Sequence, residues 1–190
     1  MIRIAILASG SGTNAQRIAE YFRMRASGIT VDLILSNNPK AFVLERAKNL
    51  RIPSMIFSRP EFYESEKILE ILQERKIDCL VLAGFLWLVP AYLLRAYSNR
   101  ILNIHPALLP KYGGKSMYGM KVHEAVIAAG EKESGISIHL VNEKYDDGQI
   151  LFQVRCPITP GDTPDSLAQK IHLLEYEHFP RVIEQYLIKW

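Results

Sequence analysis

Apolar and polar positions alternate along this chain in two different rhythms, and the change of rhythm divides it. Ile2–Ala8 is apolar except for Arg3 and ends on Ser9-Gly10. A continuous apolar run of this kind predicts a parallel strand covered on both faces. Ala15, Ile18, Ala19 and Phe22 follow at i, i+3, i+4 and i+7, the spacing of one helix face. Val31–Leu35 predicts a second strand, and Pro39–Asn49 a helix with Pro39 in its first turn. Met55–Phe57 predicts a short strand, Pro60–Glu74 one helix, Cys79–Ala83 a strand, Pro90–Tyr97 a short helix and Ile101–His105 another strand. Strands separated by helices of this length predict right-handed βαβ units and a parallel sheet.

Beyond residue 130 the period falls to two. Ile136, Ile138 and Leu140 alternate with Ser137, His139 and Val141, so Ser137 and His139 share a face. Asp146-Asp147-Gly148 makes a turn into Ile150, Phe152 and Val154, which predicts an antiparallel hairpin. Thr163-Pro164 predicts the cap and first turn of a last helix, which Pro180 should end or kink. The expected architecture is a Rossmann-like three-layer α/β fold, parallel in its N-terminal half, with an added antiparallel C-terminal hairpin. Residues 1–190 read as a single domain. Residues 1–100 form its parallel, phosphate-binding half and residues 101–190 its other half.

Composition narrows the class. The chain has 190 residues and 48% hydrophobic side chains, enough for a sizeable core. Its net charge of +3 suits a small anionic ligand and provides no concentrated basic stripe, so no nucleic-acid partner is expected. Cys79 and Cys156 form no CxxC pair, and no two histidines have the usual ligand spacing, so no disulfide framework and no metal site are expected. The first apolar run is too short for a secretion signal, and Gly84 and Pro90 break the longest uncharged stretch, Cys79–Leu94. A soluble cytoplasmic protein without a membrane partner is the expectation.

Two segments carry candidate chemistry. Ser9-Gly10-Ser11-Gly12-Thr13-Asn14 joins the first strand to the first helix, where glycines let the backbone approach a ligand and free N–H groups attract an anion. The motif Gly10-x-Gly12-x-x-Ala15 formally fits a dinucleotide fingerprint. That fingerprint also wants an acid at the end of the second strand, where Ser36-Asn37-Asn38 stands; Asp32 lies at the strand's beginning. A phosphomonoester therefore fits better than NAD.

In the second segment, Asn103 and His105 project to one face at the end of a strand, before Pro106. An amide donor beside an imidazole suits acyl transfer, one stabilising an oxyanion while the other moves a proton. Asp146, in the hairpin turn, is a candidate third partner that would orient His105 and favour its charged form.

At these residues the chain resembles the folate-dependent phosphoribosylglycinamide formyltransferases. The resemblance runs from Ile2 through the helix containing Glu175. It is carried by residues 9–14, by Leu-Ala-Gly-Phe at 82–85 and by Asn-Ile-His-Pro-Ala-Leu-Leu-Pro at 103–110. Gly-Ile-Ser-Ile-His at 135–139 and Asp-Asp-Gly at 146–148 complete it. It implies transfer of the formyl group of 10-formyltetrahydrofolate, as cosubstrate, to the amine of glycinamide ribonucleotide in purine synthesis, by a monomer or homodimer. Asn103, His105 and Asp146 would be the catalytic set, and Gly12, Thr13 and Asn14 would hold the ribonucleotide phosphate. Arg59, Leu86, Trp87, Leu88, Val89, Glu143, Lys144 and Tyr145 would surround the folate. Glu175 would meet the glycinamide end, with Ser137 and His139 behind the site lining the folate pocket or steadying Asp146.

Three departures mark this chain. Residues 111–122 make a longer connection than many relatives have, which leaves substrate contacts by Lys111 or Lys115 open. Trp87 stands where a basic residue is common, and Asp147 where glycine is common, so Asp146 and Asp147 both remain candidates. His123 reads as structural or peripheral on a helix, with a substrate contact left open, and His172 and His178 as surface or packing residues. The rival readings are a formyltetrahydrofolate hydrolase of the same superfamily and a nicotinamide-dependent oxidoreductase. The hydrolase is disfavoured by the lack of a preceding regulatory domain and by Asn-x-His-Pro.

Overall fold

A computed structural model describes residues 1–189. Strands β1 (Ile2–Leu7), β2 (Ile29–Ser36), β3 (Ser54–Ile56), β4 (Cys79–Leu82), β5 (Ile101–His105), β6 (Glu133–Leu140) and β7 (Ile150–Pro157) form one sheet in the order β3-β2-β1-β4-β5-β6-β7. The pairs from β3 to β5 are parallel, and β5–β6 and β6–β7 are antiparallel. The parallel half and the added hairpin expected from the two rhythms are both present.

The continuous apolar strands split their side chains between two buried layers. On β1, Ile4 and Ile6 join the layer under α1 (Thr13–Arg23) and α7 (Pro164–Leu187), while Ala5 and Leu7 join the opposite one under α4 (Lys67–Glu74) and α5 (Ala91–Ala96). On β4, Cys79 and Val81 go one way, Leu80 and Leu82 the other. Successive side chains of a strand point to opposite faces, so a strand sandwiched between helices needs apolar residues throughout. Desolvation pushes the buried Cys79 thiol well above its ordinary pKa, so it packs as a small hydrophobe.

Several boundaries differ from the sequence reading. The helix expected from Pro39 starts only at Val43, giving α2 (Val43–Asn49). Asn38 Oδ1 first accepts from the Lys40 N–H, a local turn that competes with the helix. The stretch Pro60–Glu74 is two helices, α3 (Arg59–Tyr63) and α4. Ser58 and Glu61 form a capping box that starts α3, which ends at Glu64. Pro180 neither ends nor interrupts α7, which runs from Pro164 to Leu187. Buried neighbours Phe179, Val182, Ile183 and Leu187 hold it on the sheet, and this packing outweighs the backbone hydrogen bond that proline cannot donate. Asp32 lies within β2 and pairs with Arg75 at 2.8 Å, a structural ion pair far from any ribose role.

β1 has β2 on one side and β4 on the other, so chain connections leave it in opposite directions. The crevice at the carboxyl ends of such strands is where open α/β sheets bind ligands. Here the loop after β1 and the loop after β4 are joined: Ser9 N–H donates to Gly84 O at 2.9 Å, and Leu86 N–H to Ser9 Oγ at 3.0 Å.

Candidate active site

A cavity of about 540 Å³ opens at this crevice. Its walls come from the glycine loop, residues 82–89, the end of β5, residues 114–119, the hairpin turn and α7. Sequence positions as distant as Ser9 and Glu175 therefore face one space.

At one end stands the start of α1. Gly12 has φ +73, in the left-handed region, and a Cβ there would lie 2.3 Å from Val43 Cγ2. Glycine is thus required both by conformation and by the close approach of α2. No side chain caps α1 and no acidic residue lies in its first turn, so its leading N–H groups are left to an anion. Thr13 lines the cavity beside them, whereas the Asn14 amide turns aside and donates from Nδ2 to Glu175 Oε2 at 2.9 Å.

Glu175 lies on the face of α7 that meets α1 and is 6% exposed. Burial pushes its carboxyl up to about 7, with the Asn14 hydrogen bond pulling the other way. A raised carboxyl pKa means the folded chain binds more protons than the unfolded chain between the two values. Its stabilising effect is full below the unfolded value and fades as pH rises toward 7. The Glu175→Gln variant is therefore expected to lose less thermal stability than the parent between pH 5 and pH 7.5. The difference, of the order of 3 kcal/mol, is read from midpoints at the two pH values. Equal pH dependence in the two proteins would show the carboxyl to be ionised throughout.

In the middle of the cavity, three predicted residues converge. Antiparallel pairing sets Asn103 opposite His139 and His105 opposite Ser137. Asp146 reaches in from the hairpin turn, with Oδ2 3.4 Å from His105 Nδ1 and Oδ1 3.4 Å from Asn103 Nδ2. Asp146 itself has φ +54, a conformation aspartate tolerates better than most residues. Asp147 instead faces solvent and meets Asn142 and Lys144, so only Asp146 lies in the site.

His139 binds the set from behind. Its Nδ1 lies 2.8 Å from Leu140 O and its Nε2 3.0 Å from Asn103 Nδ2. In the neutral ring Nδ1–H donates to the carbonyl, which leaves Nε2 to accept from the Asn103 amide. The same Nε2 is 3.6 Å from Asp146 Oδ1. Ser137, expected near the folate or Asp146, does neither. It donates to Ala107 O and accepts from Leu109 N–H and Gln153 Nε2, so it holds the loop that follows His105.

The long 111–122 connection closes over this centre. Gly114 N–H donates to Asp146 Oδ2 at 2.9 Å, and Tyr112 O lies 2.7 Å from His105 Nε2. A carboxylate beside one ring nitrogen and a carbonyl beside the other suit the protonated imidazole. Burial works against that charge and wins, so the His105 pKa lies below its ordinary value. Burial also opposes ionisation of Asp146, but its contacts with His139, His105 and the Gly114 N–H outweigh that, and its pKa is lowered. Near pH 7 the pair is thus a neutral ring against a carboxylate, one proton short of an ion pair.

The other end of the cavity is aromatic. Phe85 and Trp87 line it and pack against Phe62, at centroid distances of 5.5 Å and 5.8 Å, and Tyr63 Oη donates to Leu88 O at 2.9 Å. Leu86, Leu88, Val89, Lys144 and Tyr145 share this wall. Two residues expected here are not part of it. Arg59 is exposed and lies over the Tyr63 and Trp87 rings, and Glu143 projects from the exposed turn. Conversely, His172 and Phe85 line the cavity without having been assigned to it, and His123, left open as a substrate contact, lines it too. Their helical or loop positions carry no spacing signal; packing buries His123, whereas His172 stays exposed.

Comparison with known proteins agrees with this geometry. Residues 2–183 match the family described as Formyl transferase. The phosphoribosylglycinamide formyltransferase of Haemophilus influenzae is 35% identical over 188 residues, 97% of this chain and 86% of that protein. The trifunctional purine biosynthetic protein adenosine-3 of Drosophila melanogaster is 40% identical over 95% of this chain, which spans only 14% of that longer protein. The crystal structure of glycinamide ribonucleotide transformylase 1 from Geobacillus kaustophilus superposes with a TM-score of 0.88 at 37% identity, covering 97% of this chain and 98% of that one. With nearly its whole length matched in sequence and in fold, the chain belongs to the formyl transferase family.

Proposed function

We propose that this chain transfers the formyl group of 10-formyltetrahydrofolate to the amine of glycinamide ribonucleotide. The observation that carries the reading is the convergence of Asn103, His105 and Asp146 midway along one cavity, between an uncapped helix N-terminus and an aromatic wall. The ribonucleotide phosphate belongs at the N–H groups of residues 12–14, which neutralise an anion. The pterin and benzoyl rings belong against Phe85 and Trp87, and Glu175 accepts from the glycinamide end.

The amine attacks the formyl carbon directly, a C–N bond forms and the carbonyl electron pair moves onto oxygen. The Asn103 amide and the protonated His105 ring stabilise that oxyanion; removing one such donor commonly costs ~3 kcal/mol. Collapse of the tetrahedral centre breaks the bond to the folate nitrogen. That nitrogen receives the proton lost by the amine, through His105 or a water held by Asp146. For His105 to serve, its Nε2 exchanges the Tyr112 carbonyl for the reacting oxygen, so residues 111–114 shift as substrate enters. Water in place of the amine would make the chain a hydrolase, and the anion end of the cavity, built for a phosphorylated acceptor, favours transfer.

Purified protein mixed with glycinamide ribonucleotide and the formyl donor is expected to release tetrahydrofolate and the formylated ribonucleotide in equal amounts. Formate in place of formylated ribonucleotide would establish the hydrolase instead. Loss of the NAD reading follows from β2, whose far end presents Ser36 bonded to Asn38 in place of an acid.

A further inference from the structure

The glycine loop is held from behind by the segment that follows β2. Asn38 Nδ2 donates to Ser9 O at 3.2 Å, Val43 N–H to Gly10 O at 3.1 Å and Arg46 Nε to Ser11 O at 2.8 Å. Three successive loop carbonyls are thus tied to residues 38–46. None of these three donor residues lines the cavity, whereas Ser9, Gly10, Ser11 and Gly12 all do. In a trans peptide the C=O and the following N–H share a plane and point in opposite directions. Holding the Gly10 and Ser11 carbonyls toward α2 therefore turns the Ser11 and Gly12 N–H groups the other way, and neither donates to another described residue.

Arg46 spans the most of this junction. Besides Ser11 O, its guanidinium donates from Nη1 to Gln16 Oε1, and the Gln16 N–H bonds Gly12 O at 3.0 Å. One planar fork therefore bridges the residue before Gly12 and the helix turn after it. The fork lies over the Phe42 ring at 5.0 Å, which holds its plane. Gly12, at φ +73, has no Cβ to restrain it, so neighbours must supply the restraint. We propose that Arg46 is a positioning residue, which presets the Ser11–Gly12 peptide so that the loop receives a phosphomonoester without a cost of reordering. The inference rests on the formyl-transfer reading for the place of the ribonucleotide phosphate, at residues 12–14.

The other walls do not lean on this clamp. The catalytic set and its cover are carried by β5, the hairpin turn and the loop leading to α6 (Met120–Ala128). A loop left free to turn must be ordered by its ligand, and that ordering is subtracted from binding. The effect of losing Arg46 therefore falls on the phosphorylated acceptor alone. Binding at a point remote from the reacting carbon is the same in ground and transition states, so its loss raises KM and leaves kcat in place.

Arg46→Met keeps an apolar stem over Phe42 and removes the fork. Its KM for glycinamide ribonucleotide is expected to rise roughly tenfold or more, with kcat and the KM for the formyl donor within about twofold of parental. Calorimetry with ribose 5-phosphate is expected to show the same loss of affinity. Arg46→Lys keeps the charge without the planar fork, so its ribonucleotide KM is expected to stay roughly threefold or more above the parental value. Arg23→Met is the control, because Arg23 donates to Leu50 O and ties the C-terminal ends of α1 and α2. Its loss should lower the melting midpoint and move neither KM. Equal effects of Arg46→Met and Arg23→Met, or an equal rise in both KM values, make Arg46 a structural tie and overturn the proposal. Full recovery by lysine overturns it too, by making charge rather than direction the active property. Parental turnover with unchanged constants in Arg46→Met removes the positioning role and leaves formyl transfer standing. Weakened binding of ribose 5-phosphate to Arg46→Met, with no formylated ribonucleotide from the parent, supports the positioning role and overturns the proposed acceptor. Failure of the parent to bind ribose 5-phosphate or to turn over overturns both.

Discussion

His105→Ala is expected to fold and to lose formyl transfer by roughly 10²–10⁴-fold in turnover, with a much smaller change in substrate binding. The reason is positional. The His105 ring stands at the end of β5 with Asp146 on one nitrogen and the Tyr112 carbonyl on the other, and it lines the cavity beside Asn103. It is buried and lowered in pKa, so it is neutral at pH 7 and gains its proton as negative charge develops beside it. Asn103→Ala removes a second donor and is expected to cost about 10²-fold or more. Because Asn103 also bonds His139 and Asp146, the double variant should lose less than the product of the two single losses. Steady-state kinetics on variants with parental circular dichroism check this. A folded His105→Ala protein retaining near-parental turnover would remove the imidazole from the chemistry.

The second large effect is expected at Gly148, which touches no substrate. A Cβ there would lie 1.7 Å from Leu140 O, closer than any real contact, and the obstacle is backbone that cannot rotate away. The same Leu140 carbonyl accepts the His139 Nδ1–H, and His139 in turn holds the Asn103 amide beside Asp146. Gly148→Ala must therefore displace the strand end or the turn carrying Asp146. Overpacking of this kind costs typically ~1–3 kcal/mol, a midpoint lower by roughly 2–12 °C for a chain of this size. The loss of turnover is expected to exceed what partial unfolding accounts for at the assay temperature. Thermal melts and turnover on one preparation separate the two, and a parental midpoint with parental turnover would show that the turn has room to spare.

Much of this site was legible because its pieces are local. An apolar run, a glycine loop and a helix face at i, i+3, i+4 declare strand, turn and helix together, and the alternation Asn103-x-His105 puts two groups on one face. The hairpin signal covered β6 and β7 only; the pairing of β6 with β5, which brings Ser137 and His139 alongside His105 and Asn103, crosses a long connection and was not legible. Other side chains stand outside the cavity lining, or depart from their local signal, for equally definite reasons. Arg59 carries a charge that suits a folate, yet at the start of α3, after the Ser58 cap, it lies exposed over the Tyr63 and Trp87 rings. Glu143 lies three residues from Asp146, but an exposed turn points successive side chains in unrelated directions. Pro180 breaks a helix by its own propensity and is overruled by the buried residues on either side.

From the sequence alone came the parallel half, the hairpin, the glycine loop and the shared face of Asn103 and His105, since periodicity dictates which side chains share a face within one element. Asp146 stood as a candidate in the hairpin turn and joined the set only through the family resemblance, with Asp147 still beside it as a candidate. Only the tertiary structure decided which faces meet. It joined the Asn14 amide to Glu175, 161 residues distant, and laid Gly114 on Asp146. Those meetings depend on the axial register of packed helices and the path of a long loop, and no spacing along a chain encodes either.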